Sequence, residues 1–223
     1  MSALDIIAGG LVVSCQAPRR SPLREPAWIA RVAQAAELGG AVGLRVNGPD
    51  DIFAVRALTS LPVIGLHKVT GPHRQIITPT LELAERLIEA GAVVVAVDAP
   101  HEVIGDDLRL LRDIRALGVE VMADVSTLDE GLRAWDLGVE AVGTTLSGYT
   151  LATASGADDP DLELVEALAS RGVRVIAEGR YRTPLQVRAA LDLGAHSVVV
   201  GGAITDPFST TERFVAAVST VQR

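Results

Sequence analysis

The chain alternates between stretches with apolar residues at helical spacing and short runs that are apolar throughout. Most of the helical stretches end in a glycine, and an apolar run begins within two residues. These junctions lie at Gly39, Gly91, Gly118, Gly138, Gly172 and Gly194, with Pro62 marking a further one. With the first apolar run, the pattern predicts eight strands: Leu11–Cys15, Ala41–Val46, Pro62–Leu66, Val93–Val97, Val119–Ala123, Ala141–Thr145, Val173–Ala177 and Ser197–Val200.

Strands that are apolar on both faces are typical of parallel sheets covered by helices. Eight strand-helix units in 223 residues predict an α/β fold, a (β/α)8 TIM barrel that forms a single domain over residues 1–223. A doubly wound open sheet is the alternative. That fold would need a glycine-rich fingerprint after the first strand, and Gln16-Ala17-Pro18-Arg19 is not one.

Composition narrows the function classes. The chain is 48% hydrophobic, so it can bury a large core, and its net charge of -8 argues against nucleic acid or an anionic membrane as the main partner. Its apolar runs are too short to span a bilayer, and the start carries no basic leader. The single cysteine, Cys15, cannot form an internal disulfide, which predicts a cytoplasmic protein with Cys15 as a small buried residue.

The basic residues are unusual because nineteen of the twenty are arginine. The only lysine, Lys68, follows the predicted strand Pro62–Leu66. Arginine keeps its proton in proteins, whereas a desolvated lysine can become a neutral base or nucleophile. Lys68 is therefore the first catalytic candidate, with a surface lysine as the alternative.

In a TIM barrel the active site lies at the C-terminal ends of the strands, where distant residues converge. The third and seventh strands lie opposite each other, so Lys68 and Glu178 are expected to face a shared cavity and to transfer a proton at a carbon between them. For Asp98 and Asp124 the alternative is a carboxylate that caps a helix or accepts from loop amides. The polar residues and glycines at predicted strand ends are Gln16, Arg45, Lys68, Asp98, Asp124, Thr144, Thr145, Glu178, Gly201 and Gly202.

The loops after the seventh and eighth strands form the usual phosphate site of this fold. Gly179, Gly201 and Gly202 lie there and offer bare backbone amides. Asp206 opposes this interpretation, because an acid beside a phosphate is repulsive.

The histidines do not fall at metal-ligand spacing, so no metal site is expected. His196 lies at a helix-to-strand junction, on the end of the barrel that serves stability. His67 and His101 lie near strand ends, where they could line the pocket or the surface.

Several blocks along the chain resemble the N-acetylmannosamine-6-phosphate 2-epimerase family. They include Val13-Ser14-Cys15-Gln16, Met122-Ala123-Asp124-Val125-Ser126-Thr127, Thr144-Thr145-Leu146-Ser147-Gly148-Tyr149-Thr150, Ile176-Ala177-Glu178-Gly179-Arg180 and Val200-Gly201-Gly202-Ala203-Ile204-Thr205. The resemblance implies a TIM barrel that acts on 2-acetamido sugar 6-phosphates in bacterial sialic-acid catabolism. It also implies no metal or organic cofactor and a homodimer.

The resemblance also assigns roles. Lys68 and Glu178 match the family's catalytic residues, and Gln16, Arg45 and Asp124 match its substrate-contacting glutamine, arginine and aspartate. The other substrate-binding candidates are Thr145, Tyr149, Gly179, Arg180, Gly201 and Gly202. The implied reaction interconverts N-acetylmannosamine 6-phosphate and N-acetylglucosamine 6-phosphate by proton abstraction at C2.

Three places where the family carries arginine hold Val69, the segment 100–102 and Asp206 instead. An epimerase of an unphosphorylated or different sugar is therefore one alternative. A Schiff-base aldolase and a non-catalytic sugar-binding barrel are the others.

Overall fold

The computed structural model describes residues 2–18, 21–105 and 107–219 and contains a closed barrel of parallel strands. The barrel order is β1-β10-β9-β8-β7-β6-β3-β2, and β1 pairs with both β2 and β10. The predicted (β/α)8 TIM barrel is thereby confirmed, and the open sheet is wrong. The strands are β1 (Leu11–Cys15), β2 (Gly43–Asn47), β3 (Val63–Leu66), β4 (Lys68–Thr70), β5 (Gln75–Ile77), β6 (Val94–Asp98), β7 (Glu120–Asp124), β8 (Ala141–Gly143), β9 (Val175–Glu178) and β10 (Ser197–Val200).

Helices cover the barrel, and the first of them lies at its N-terminal end, where Leu4 and Ile7 pack against residues inside the ring. A larger apolar layer lies between the strands and the surrounding helices. The described helices are α1 (Ala3–Ile6), α2 (Pro26–Leu38), α3 (Pro49–Arg56), α4 (Leu81–Glu89), α5 (His101–Ile104), α6 (Arg109–Arg115), α7 (Leu128–Leu137), α8 (Leu162–Ala169), α9 (Pro184–Asp192), α10 (Gly202–Thr205) and α11 (Pro207–Ser219).

Several strands begin one or two residues later than predicted. The apolar residue after the glycine closes the preceding helix instead of starting the strand, as when the Ala41 amide donates to Ala36 O at 3.0 Å and Val173 to Leu168 O at 3.3 Å. The left-handed residue at the first junction is Gly40, with φ of 93°, and Gly39 is still helical.

The C-terminal ends also shift. Asp98, Asp124 and Glu178 are the last residues of their strands rather than the first residues after them, whereas β8 stops at Gly143, two residues before the predicted end. These side chains are therefore fixed by the sheet itself.

The antiparallel hairpin formed by β4 and β5, hereafter the lysine hairpin, was not predicted. Lys68 is its first residue and pairs with Ile77. All three residues of β4 are exposed, so the strand lacks the alternation of buried apolar and exposed polar residues from which a strand can be predicted.

Candidate active site

Two adjoining cavities open at the C-terminal end of the barrel, with volumes of 790 and 490 Å³. Strands β3 and β9 are four places apart in the ring and hence opposite. Lys68, which follows β3, and Glu178, at the end of β9, line both cavities. The structure thus brings the two candidate catalytic side chains to one space.

Lys68 is held by its backbone, while its amine stays available. Its amide donates to Asn47 Oδ1 at 2.8 Å, and its amine has no hydrogen-bond or ion-pair partner among the described residues. The side chain is solvent-accessible because it lines a cavity, yet the enclosing walls desolvate it. This desolvation, with a smaller contribution from the cation of Arg45, lowers the pKa of Lys68 to about 8, although Asp124 opposes the shift.

Beside the lysine lies a buried cluster of charges from separate strands. Arg45, which is 1% exposed, donates from Nη2 to Asp124 Oδ2 at 2.5 Å, and its Nη1 contacts Glu178 Oε2. The Thr145 hydroxyl accepts from Arg45 at 3.0 Å, donates to Asp124 Oδ1 at 2.5 Å and lies 3.2 Å from Glu178 Oε2. One guanidinium therefore pairs with two carboxylates and orients both.

Asp124 is completely buried, and this burial raises its pKa, although Arg45 and Thr145 act in the opposite direction. It caps no helix and instead belongs to the charge cluster. Asp98 fits the structural alternative: it is completely buried, binds Arg74 through both oxygens and accepts from the Ile77 amide at 3.0 Å.

The smaller cavity collects the residues after β1 and β10. Gln16 donates to Ser14 Oγ at 2.8 Å, and Gly201 and Gly202 lie beside it in the cavity wall. Asp206 also lines this cavity, but its carboxylate accepts from the Ser209 amide at 3.2 Å and hydroxyl at 2.5 Å. The carboxylate of Asp206, which opposed the prediction of a phosphate site, is thus hydrogen-bonded to Ser209 at the start of α11.

The larger cavity contains the remaining predicted residues. Gly179 and Arg180 both have positive φ, of 112° and 61°, so the chain turns sharply after β9. Arg180 donates to Asp159 O at 2.6 Å and to Ser147 O, and its guanidinium stacks 5.4 Å from the ring centre of Tyr149. Arg180 therefore joins the loop after β8 to the turn after β9.

Sequence reasoning missed several polar residues at this end of the barrel, among them Arg74, Arg213 and Asn47. Arg74 and Arg213 line the larger cavity and Asn47 lines the smaller one, but none belongs to an apolar run that marks a strand end. Asn47 could have been found, because it directly follows the predicted strand Ala41–Val46. Arg213 lies on the last helix, α11, and no pattern in the sequence connects that helix with the cavity.

Other candidates have structural roles. His196 binds Leu4 O through Nε2 at 2.7 Å at the N-terminal end, as expected. Cys15 is buried, which raises its pKa to about 12 and keeps it a thiol. His67 does not line either cavity, and the His101 side chain lies outside the described part of the structure. Within residues 2–18, 21–105 and 107–219, no group of three His, Cys, Asp or Glu side chains could hold a metal ion.

Comparison with known proteins identifies the family. A family described as "Putative N-acetylmannosamine-6-phosphate epimerase" matches residues 29–220. The chain belongs to this family.

Two bacterial relatives and two solved structures are informative. Relatives described as putative N-acetylmannosamine-6-phosphate 2-epimerases are 49% identical in Klebsiella pneumoniae, over 88% of this chain and 84% of the relative, and 44% identical in Caldanaerobacter subterraneus, over 96% and 93%. The solved N-acetylmannosamine-6-phosphate 2-epimerase of Clostridium perfringens superimposes with a TM-score of 0.89 at 40% identity, over 97% of this chain and 96% of that one. A geranylgeranylglyceryl phosphate synthase from Thermoplasma acidophilum, 18% identical with a TM-score of 0.62 over 95% of both chains, shares the fold alone.

Proposed function

We propose that this chain is a cofactor-independent isomerase that interconverts N-acetylmannosamine 6-phosphate and N-acetylglucosamine 6-phosphate. The observation that carries the proposal is the only lysine of the chain, which has a lowered pKa and shares a cavity with an acid on the opposite strand. The family match and the relatives' names support the substrate class.

The chemistry follows from the two groups. With a pKa about 8, roughly one Lys68 amine in ten is neutral at pH 7. That neutral amine takes the proton from C2 of the open-chain sugar, and the electron pair moves onto the C1 oxygen as an enolate. Glu178, once it has taken up a proton from the substrate hydroxyl or from solvent, gives that proton to the other face of C2, and the Lys68 ammonium then loses its proton to solvent, which restores both groups.

The buried cluster orients these groups. Arg45 and Thr145 hold the Glu178 carboxylate in place. Gln16 and Thr145 line the cavities and bind the acetamido and hydroxyl groups, whereas the buried Arg45 and Asp124 line neither cavity and act through Glu178 and Thr145. Because Arg45 serves both Asp124 and Glu178, the arrangement exists before substrate arrives.

The phosphate is proposed to bind where Gly179, Gly201 and Gly202 meet the larger cavity. Arg180 supports this placement. Its two described polar partners are carbonyl oxygens, so no carboxylate among them neutralises its positive charge, and that charge can attract a phosphate. Tyr149 forms the adjoining wall.

Three further features belong to the proposal: a homodimer, a cytoplasmic location and a sugar phosphate, rather than a nucleic acid, as partner. The net charge of -8 supports the last of these. Among the described residues, no helix has both the length and the apolar character to cross a membrane.

The test is proton exchange at C2 in deuterium oxide, followed by NMR, with N-acetylmannosamine 6-phosphate and with the free sugar. The proposal expects deuterium at C2, formation of the epimer and a strong preference for the phosphate. Asp206 in the smaller cavity favours a second candidate, an epimerase of the unphosphorylated sugar, and a preference for the free sugar would establish it. Absence of exchange with both sugars would contradict the proposed reaction, and an adduct trapped on Lys68 by borohydride would favour an aldolase instead.

A further inference from the structure

The lysine hairpin needs an explanation, because it carries the candidate base but is not part of the barrel sheet. Its two strands are three residues each, and an isolated hairpin of this size is marginally stable in water. Its side chains are mostly exposed, with only Ile77 buried. Apolar packing reaches the hairpin only through Ile77, so polar contacts are also needed to fix Lys68 relative to Glu178.

Two side chains at the ends of barrel strands grip the base of the hairpin, one on each hairpin strand. Asn47, the last residue of β2, accepts from the Lys68 amide at 2.8 Å. Asp98, the last residue of β6, accepts from the amide of Ile77 at 3.0 Å. Ile77 is the residue paired with Lys68, so both contacts act at the same register position.

A second contact from Asp98 reaches the far end of the hairpin. Both oxygens of Asp98 accept from Arg74, at 2.6 and 2.7 Å, and Arg74 also contacts Glu102 at 3.2 Å. Arg74 lies in the turn between β4 and β5 and is 12% exposed, while Asp98 is fully buried. Paired, bidentate geometry of this kind fixes orientation as well as distance.

We propose that Asp98, together with Asn47 and Arg74, positions Lys68 for proton transfer by clamping the lysine hairpin to the barrel. Asp98 does not line either cavity, so it acts through the hairpin and not on the substrate. This inference rests on the proposed function for its turnover readout, but not for its second readout, which is direct observation of the lysine.

The test removes the clamp without changing local charge. In the double variant Asp98→Asn with Arg74→Gln, one negative and one positive charge are removed together. Because Arg74 also lines the larger cavity, Asp98→Asn alone is measured beside it; this variant leaves every cavity residue in place and separates the loss of the clamp from the loss of a substrate contact. The proposal expects kcat to fall about 10- to 100-fold with KM changed less than about twofold, because misplacing a reacting group affects the reacting geometry more than binding.

The second readout uses the fact that Lys68 is the only lysine. Reductive methylation with ¹³C-formaldehyde labels this amine and the chain's terminal amine, and Lys68→Met identifies the lysine signal by removing it. In the wild type this signal is expected to report a pKa of about 8 for Lys68. In the double variant the pKa should lie closer to 10.5, because a loosened hairpin exposes the amine to water. Arg45 and Asp124, the other charges acting on the amine, are unchanged.

The matched control is Glu140→Gln at the opposite end of the barrel. Glu140 also accepts from an arginine, Arg115 at 3.0 Å, and from one backbone amide, Val121 at 2.8 Å. The Glu140→Gln substitution should lower the thermal stability of the protein without changing kcat or the pKa of the lysine. Asn47→Ala is a second test variant that leaves the buried ion pair in place, and a smaller change in the same direction is expected.

Either of two results would overturn the clamp. In the first, the folded double variant and Asn47→Ala both keep the kcat and the lysine pKa of the wild type. In the second, Glu140→Gln loses as much kcat as the double variant does. If the wild type itself shows no C2 exchange, the proposed function fails, while the titration still decides whether Asp98 positions the lysine.

Discussion

The two ends of the barrel use the same interaction for different purposes. At the N-terminal end Glu140 binds Arg115 and a backbone amide, and at the C-terminal end Asp98 binds Arg74 and a backbone amide. The first pair joins elements of the barrel wall, whereas the second holds a hairpin outside the sheet. Similar chemistry thus supports stability at one end and the placement of a reactive group at the other.

The ends also differ in what fills the ring. Near the N-terminal end the interior is apolar and is closed by Leu4 and Ile7, which are 0% and 1% exposed. Near the C-terminal end the interior holds Arg45 and Asp124 at similar burial. Burying charges costs free energy even when they are paired, so apolar packing at one end offsets the cost of the reactive end.

The largest effect should come from the lysine itself. Lys68→Met should lower C2 exchange by about 10³-fold or more, because the neutral amine that accepts the proton is gone. Deuterium incorporation measures it, and circular dichroism should show an unchanged fold. Retained exchange would show that the reactive end does not depend on this amine.

Lys68→Arg is the control for charge. It restores a cation at the same place but not a group that gives up its proton. If arginine restored exchange, Lys68 would act as an electrostatic group and not as a base.

Removing Arg45, the cation that the two carboxylates of the buried cluster share, should cause a large loss of stability. Arg45→Met leaves Asp124 and Glu178 without their common partner, and the free energy of unfolding at pH 7 should fall by about 3–5 kcal/mol. Urea denaturation measures this loss. Adding Asp124→Leu should recover part of it, because the uncompensated buried carboxylate is then also removed; no recovery would contradict the account of the cluster.

The sequence predicted the barrel better than it predicted the reactive end. Regular helix-to-strand junctions determined the strand count, since each apolar run has to be covered by helices. The strand ends at Asp98, Asp124 and Glu178 were missed by one residue, because a prediction from apolar runs stops before the polar residue that ends the strand. The Arg74–Asp98 contact could not be predicted, as it joins residues 24 apart through a hairpin with no apolar pattern.

The apolar end provides the next test. Leu4→Ala should lower the free energy of unfolding by about 2–5 kcal/mol, because it leaves a cavity among fully buried residues of the ring. At temperatures where the variant is folded, kcat should be unchanged. Ile6→Ala is the matched control in the same helix: Ile6 is 48% exposed, and its removal should cost far less. A large drop in kcat for Leu4→Ala would mean that the two ends are coupled.

The smallest expected effect is a pH dependence of stability that belongs to Lys68 alone. Its pKa is about 8 when folded and ordinarily 10.5, so the unfolded chain binds more protons between these values. Wild-type stability relative to Lys68→Met should therefore be lowest below pH 8, rise with pH up to about 10.5 and level off above it. Urea midpoints of both proteins across this range measure the difference, and the same protonation predicts that kcat/KM rises with pH up to about 8. A difference in stability that is flat across the window would mean that the cavity does not desolvate the amine, and the reactive end would then lack the feature that sets it apart from the rest of the barrel.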